Sequence, residues 1–161
     1  MRHLTTDTRQ QPHVRQTSGG DSAAHLDTSV RAVIENVAPQ VDCGRYPAKR
    51  VAGDHVTVEA DIFTDGHDAV SAVLQHRMRG TAEWSETAFE PLVNDRWQAR
   101  FLAPTPGRYE FTVLAWVDHF KSWQRDLRKK VAAEQEVDLD LLIGADLAEQ
   151  AAARADSSDE T

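Results

Sequence analysis

The stretch GRYEFTVLAWVDHFKSWQRDLRKK, Gly107–Lys130, decides how the rest of the chain is read. Its first half alternates with period two. Tyr109, Phe111, Val113, Ala115 and Val117 share one side, because a strand sends successive side chains to opposite faces. The other side carries Glu110, Thr112 and Asp118, but also Leu114 and Trp116. In a sandwich the first face is core and the second meets water, so Leu114 and Trp116 ask for a cover. The period then changes. Phe120, Trp123, Leu127 and Val131 recur at near-helical spacing, with Lys121, Arg125, Arg128, Lys129 and Lys130 on the remaining surface. That is an amphipathic helix, and its stripe also needs a partner. The ordinary expectation is that this stripe packs on the sheet's own edge. The other is that a separate partner takes it.

Upstream, the pattern is a series of short strands. Arg31–Val37 is one. A loop over Asp42–Arg50 contains Gly44 and Pro47, and Gly53-Asp54 is a turn. His55–Phe63 alternates, with Val56, Val58, Ala60 and Ile62 opposite Thr57, Glu59 and Asp61, the signature of a half-buried strand. Asp65-Gly66 marks a turn, and Ala69–Met78 is the next strand. Thr87–Leu92 and Arg96–Leu102 flank Asn94-Asp95 as a hairpin, and Pro104–Gly107 turns into the strand from Arg108. Strands and turns at this spacing predict a mainly β fold, an antiparallel β-sandwich. Downstream, more helix is expected from about Val137, with Leu139, Leu141, Leu142 and Leu147 ahead of the run AEQAAARA. The helices form a C-terminal extension with apolar side chains and too little chain to enclose them.

The ends differ in composition. Residues 1–29 hold few large apolar side chains, and residues 156–161 read the same way. Neither buries enough surface to offset ordering entropy, so both are expected to be disordered tails. The sandwich is expected over residues 30–118 and the helical extension over 119–155.

The 161 residues carry a net charge of −8. That disfavours a nucleic-acid or membrane-surface binder, because phosphate-rich partners need a basic field. The basic run RDLRKK is balanced by Glu134, Glu136, Asp138 and Asp140 just after it, and reads as a solvated helix face. No run is long and apolar enough for a membrane span, and no secretory h-region opens the chain. The single cysteine, Cys43, makes no internal disulfide, which fits a reducing cytoplasm. No chemistry-bearing constellation stands out. Asp61, Asp65, Gly66 and Asp68 fail the calcium-loop pattern, since Phe63 takes a ligand position and no Glu closes the loop. The seven histidines include no His-x₃-His pair, so no metal site and no cofactor are expected. Nothing matches a nucleophile elbow or a phosphate-binding loop.

Several long segments, in order, resemble one family. GRYPAKR, VEADIFTDGHD, NDRW and GRYEFTVLAWVDHFKSWQRDLRKK look like the opening of the bacterial α-1,4-glucan:maltose-1-phosphate maltosyltransferases, over about residues 31–155. The resemblance implies an immunoglobulin-like sandwich followed by helices, and then a catalytic (α/β)-barrel of the α-amylase superfamily, acting in α-glucan biosynthesis. It implies a cytosolic homodimer whose N-terminal region takes part in assembly. Retaining glycosyl transfer needs two carboxylates held close together at the sugar. In that family they lie in the barrel, which takes roughly 200 residues or more, so no catalytic residue is expected in this sequence.

Two functional readings remain. One is a non-catalytic module that supports the barrel and dimerisation, with Leu114, Trp116, Phe120, Trp123, Leu127 and Val131 as the candidate interface. The other is an α-glucan-binding module. Its best contact is Trp84, in the loop EWSETAF, while Trp97 and Trp116 read as core or interface residues.

Overall fold

A computed structural model describes residues 3–8 and 31–158, with side chains described over 31–155. Among these residues are nine strands and two helices. The strands are β1 His3–Thr8, β2 Ala32–Ala38, β3 Ala48–Val51, β4 His55–Thr64, β5 Val70–Met78, β6 Ser85–Ala88, β7 Glu90–Pro91, β8 Arg96–Leu102 and β9 Arg108–Val117. The helices are α1 His119–Ala132 and α2 Asp138–Ser158. The chain falls into two compact units. The first runs to Gly66 and resumes over Val70–Trp116; the second takes His67–Ala69 and the chain from Val117 onward.

The first unit is the β-sandwich the alternation predicts. Sheet I has the order β3-β1-β9-β5-β6, and sheet II the order β2-β4-β8-β7. In sheet II, β4 pairs antiparallel with β8 from His55↔Leu102 to Asp61↔Arg96. That register puts Val56, Val58, Ala60 and Ile62 on the same side as Ala99 and Phe101, all of them buried. Sheet I supplies Ala72, Leu74, Tyr109 and Phe111 to the same core. The Asn94-Asp95 hairpin forms as expected. Both residues take positive φ, 54° and 58°, the conformation a tight two-residue turn demands and Asn and Asp tolerate. Trp97 sits beside that turn. Its indole Nε1 donates to Ile62 O at 2.8 Å, so it packs as a wall of the core with its polar atom satisfied.

Four local expectations change. His3–Thr8 is a strand, where a disordered tail over residues 1–29 was expected. It runs parallel to β9 and antiparallel to β3, and its order comes from pairing rather than from its own composition. The rest of that tail lies outside the described residues. The Asp42–Arg50 loop ends in β3, a strand through its pairing with β1 and its buried Ala48. The expected strand Thr87–Leu92 is two strands. β6 pairs with β5 in sheet I, and β7 pairs with β8 in sheet II. Phe89 marks the crossover, buried in the core with its N–H on Ala72 O at 3.0 Å. At the other end, α2 extends to Ser158, into the span expected to be disordered, and residues 159–161 lie outside the described ones.

The second unit is a helical hairpin. Asp118 caps α1, its carboxylate accepting from Lys121 N at 2.8 Å. Lys129 and Lys130 sit in the last turn, where cations oppose the helix dipole. The His67–Ala69 segment belongs to this unit. Ala69 N donates to Ser122 Oγ at 2.7 Å, and Asp118 N donates to Ala69 O at 2.8 Å. Lys130 Nζ reaches Asp140 Oδ1 at 2.7 Å and joins the end of α1 to the start of α2.

Candidate functional site

The outer faces of the two sheets are built differently. On sheet II the outward side chains bond to one another in an unbroken row. Asn36 Nδ2 donates to Asp61 Oδ2 at 2.7 Å. Arg96 donates to Asp61 Oδ1 at 3.0 Å and, through Nε and Nη2, to Glu59 Oε2 at 3.2 and 3.0 Å. Gln98 donates to Glu59 Oε1, and Arg100 donates to Gln98 Oε1. The hydrogen bonds from Arg96 and Gln98 hold the Glu59 carboxyl below its usual pKa, and those from Asn36 and Arg96 do the same to Asp61. The Arg96 guanidinium is pushed up in turn, by Asp61 first. The polar groups of this row satisfy one another, and Leu102, at the end of β8 on the same side, is exposed.

Sheet I divides along its length. At one end of the outer face, Leu114 is 38% exposed and Trp116 46%. Their neighbours on β9, Tyr109 and Phe111, are buried on the opposite side. The two-sided reading of Arg108–Val117 therefore stands, and the two outward apolar side chains remain open to solvent. At the other end, Arg77 of β5 is clamped. Its Nε and Nη2 both donate to Glu110 Oε2, and its Nη1 donates to Thr81 O at 3.2 Å. Arg79 stands 3.5 Å from the second oxygen of Glu110. The clamped guanidinium lies 4.3 Å from the ring centroid of Trp84, which is 39% exposed.

The helical candidates separate. Trp123 packs inside the hairpin. Its Nε1 donates to Asp140 O at 2.6 Å, and a Cβ built on Gly144 of α2 would fall 2.1 Å from Trp123 Cζ2. Part of the helix stripe thus finds its partner in α2, whereas the spacing alone pointed to a sheet edge. Leu127 is half-buried. Phe120, at 5.2 Å from the Trp123 ring, and Val131 are exposed. The start of α2 adds exposed Leu139, Leu141, Leu142 and Ile143.

An open groove of about 330 Å³ is lined by Thr87, Ala88, Glu90, Gln98, Ala99 and Arg100, and none of the candidate residues borders it. Among the described residues no cluster of His, Cys, Asp and Glu has metal-binding geometry. Asp61, weighed above as a calcium ligand, is engaged by Asn36 and Arg96. No described helix is long and apolar enough to cross a membrane. The Arg77–Glu110 clamp under Trp84 escaped sequence reading, because it depends on β5 and β9 being neighbours and no local pattern encodes that.

The described residues form a β-sandwich and a helical hairpin, each with open apolar side chains. Comparison with known proteins gives the family. Residues 30–161 match the family described as "Alpha-1,4-glucan:maltose-1-phosphate maltosyltransferase, domain N/S", and the chain belongs to that family. Three maltosyltransferases of the same description are similar to it. The Chlorobaculum tepidum protein is 52% identical over 134 residues, 83% of this chain and 20% of that protein. The Cereibacter sphaeroides protein is 47% identical over 126 residues, 78% of this chain and 19% of that protein. The Myxococcus xanthus protein is 44% identical over 126 residues, 76% of this chain and 19% of that protein. The chain spans about a fifth of the length of these curated relatives.

Proposed function

We propose that the chain is a non-catalytic module of a maltosyltransferase that extends α-1,4-glucan in the cytoplasm. In this reading it serves assembly: it docks the catalytic barrel and supports a homo-oligomer. The observation that carries the reading is the open pair Leu114 and Trp116, adjacent in the outward series of one strand, on a sandwich whose other outer face is crossed by a row of mutually bonded polar side chains. Exposed apolar side chains grouped on one face mark interaction sites. Phe120, Val131 and the leucines at the start of α2 are further candidates for burial by the same enzyme. Trp123 takes a positioning role, holding α2 against α1. An immunoglobulin-like classification of the sandwich belongs to the same proposal and rests on two facing sheets around one core.

The test mixes the purified chain with the remaining four-fifths of a related maltosyltransferase, made separately. The expected result is a stable complex that Trp116→Ala weakens. The chain alone should release no phosphate from maltose 1-phosphate in the presence of glycogen. Turnover by the chain alone that survives repurification overturns the non-catalytic reading. A complex indifferent to Trp116→Ala and to Leu114→Ala overturns the docking face.

A further inference from the structure

The polar end of sheet I holds an aromatic ring that is fixed and yet open. Arg77 spends Nε, Nη1 and Nη2 on Glu110 and Thr81, so its plane has little freedom. Thr81 is held in turn, its N–H and its hydroxyl both on Met78 O at 3.1 and 2.7 Å. The guanidinium takes one face of the Trp84 indole, a contact whose attraction is electrostatic. With one face against the guanidinium, Trp84 still keeps 39% of its surface exposed. A tryptophan that only filled space would be stabilised by full burial. This one is ordered without being covered, so a ligand stacking on it would meet a ring already in place. Its surroundings are polar. Arg79 is half-exposed, and the Gln75–Glu86 pair, at 2.7 Å, lies on the neighbouring strands.

We propose that Trp84, seated on Arg77, is a stacking platform for a pyranose ring of an α-glucan chain. A pyranose presents a face of C–H groups with slight positive charge, which suits the negative face of an indole. Its hydroxyl rim suits the charged and amide groups beside it. Acidic residues such as Glu86 and Glu110, which lie at this end, are depleted at the centre of a protein–protein interface, so the Leu114–Trp116 end fits a protein partner better and the Trp84 end fits a sugar better. The choice of α-1,4-glucan rests on the chain being a maltosyltransferase domain. The platform does not depend on docking at Leu114 and Trp116.

The test is native gel electrophoresis of the full 161-residue chain through gels containing glycogen, with dextran gels as control, followed by titration with maltoheptaose. Glycogen should retard the wild-type chain and dextran should not. Trp84→Ala should weaken maltoheptaose binding by about tenfold or more, equivalent to about 1.4 kcal/mol, and Trp116→Ala should leave it unchanged. Trp84→Phe, which keeps a ring over Arg77, should retain part of the binding even if the alanine variant folds poorly. Wild-type migration indifferent to glycogen overturns the proposal. So does binding that Trp84→Ala and Trp84→Phe leave intact, or binding lost equally in Trp116→Ala. If Trp84→Ala alters only assembly with the rest of a maltosyltransferase, the ring is a protein contact and the sugar platform is wrong. Failure of the docking experiment leaves these outcomes untouched.

Discussion

The two outer faces of the sandwich start from the same alternation and end differently. On sheet II the outward residues are polar from His55 to Asp61 of β4 and from Arg96 to Arg100 of β8, with Phe63 and Leu102 apolar at the strand ends, and the register brings Glu59 beside Gln98 and Asp61 beside Arg96. The carboxylates and the guanidinium close on one another. On sheet I the alternation of β9 breaks at the largely apolar Leu114 and Trp116, which stay half-open. A face that satisfies its own polar groups gains little from a partner, since docking would have to desolvate them. A face with open apolar side chains gains by being covered. The docking proposal rests on this difference.

The sharpest way to break this comparison is within β9 itself. Phe111→Ala should cost about 3–5 kcal/mol, as truncation of a buried aromatic does, and Trp116→Ala should cost about 1 kcal/mol or less, as exposed substitutions away from special features do. Thermal or urea unfolding reads both. If Trp116→Ala destabilises as severely as Phe111→Ala, Trp116 is core and the two faces of β9 are not distinct.

A second variant tests how the helical hairpin uses its apolar surface. Helix propensity favours Ala over Gly by about 1 kcal/mol, but a Cβ at position 144 would collide with the Trp123 ring. Packing should win. Gly144→Ala is expected to speed amide exchange in α1 and α2 while the sandwich amides keep their protection. Unchanged exchange in the helices would mean that Trp123 is free to move and belongs with the exposed candidates.

The polar face of sheet II should reveal itself in acid. Glu59 and Asp61 have pKa values lowered from 4.5 and 3.8 in the folded chain. Their contribution is present above the unfolded values and is lost as pH falls through the folded ones, below about pH 4. Arg96→Met should reduce that loss and lower stability at neutral pH, by less than Phe111→Ala does because the groups are partly exposed. Equal acid sensitivity in the variant would show that the row of hydrogen bonds contributes nothing.

The smallest effect expected is at the half-buried His76, whose ring stacks on the core residue Phe101 at 4.3 Å. Burial lowers its pKa from 6.5. The unfolded chain therefore takes up the proton first, and stability should decline as pH falls from about 6.5 toward the folded value. His76→Phe should remove this shallow slope and leave the steeper carboxylate limb in place. A slope that persists belongs to another group.

Much of this architecture was legible from local pattern. Period-two alternation located β4, β5, β8 and β9 to within a residue or so, and the change of period at Asp118 located α1. Asn94-Asp95 announced its turn by chemistry alone. The misses share a cause. β1 and β3 are strands because they pair with each other and with β9, and neither has the composition of a strand by itself. The segment around Phe89 reads as one strand because its alternation is continuous, yet the chain crosses from one sheet to the other there. Of the candidate interface, Leu114 and Trp116 were legible as outward-facing because parity along a strand decides sides. Trp123 was legible as a residue in need of a partner, but not which one, because Gly144 lies on the next helix and carries no side chain to signal it.

What the sequence by itself determined is therefore the longer strands and the two helices, which side of those strands faces the core, and, through its long matches, the maltosyltransferase family. These follow from interactions a few residues apart or from the residues read directly. What only the tertiary structure decided is strand order and everything that depends on it. Arg77 reaches Glu110 because β5 and β9 are neighbours, and that contact fixes the guanidinium under Trp84. Glu59 meets Arg96 because β4 and β8 pair in one register. Residues more than thirty positions apart become partners only when the chain is folded, and no local periodicity records which partner a side chain will find.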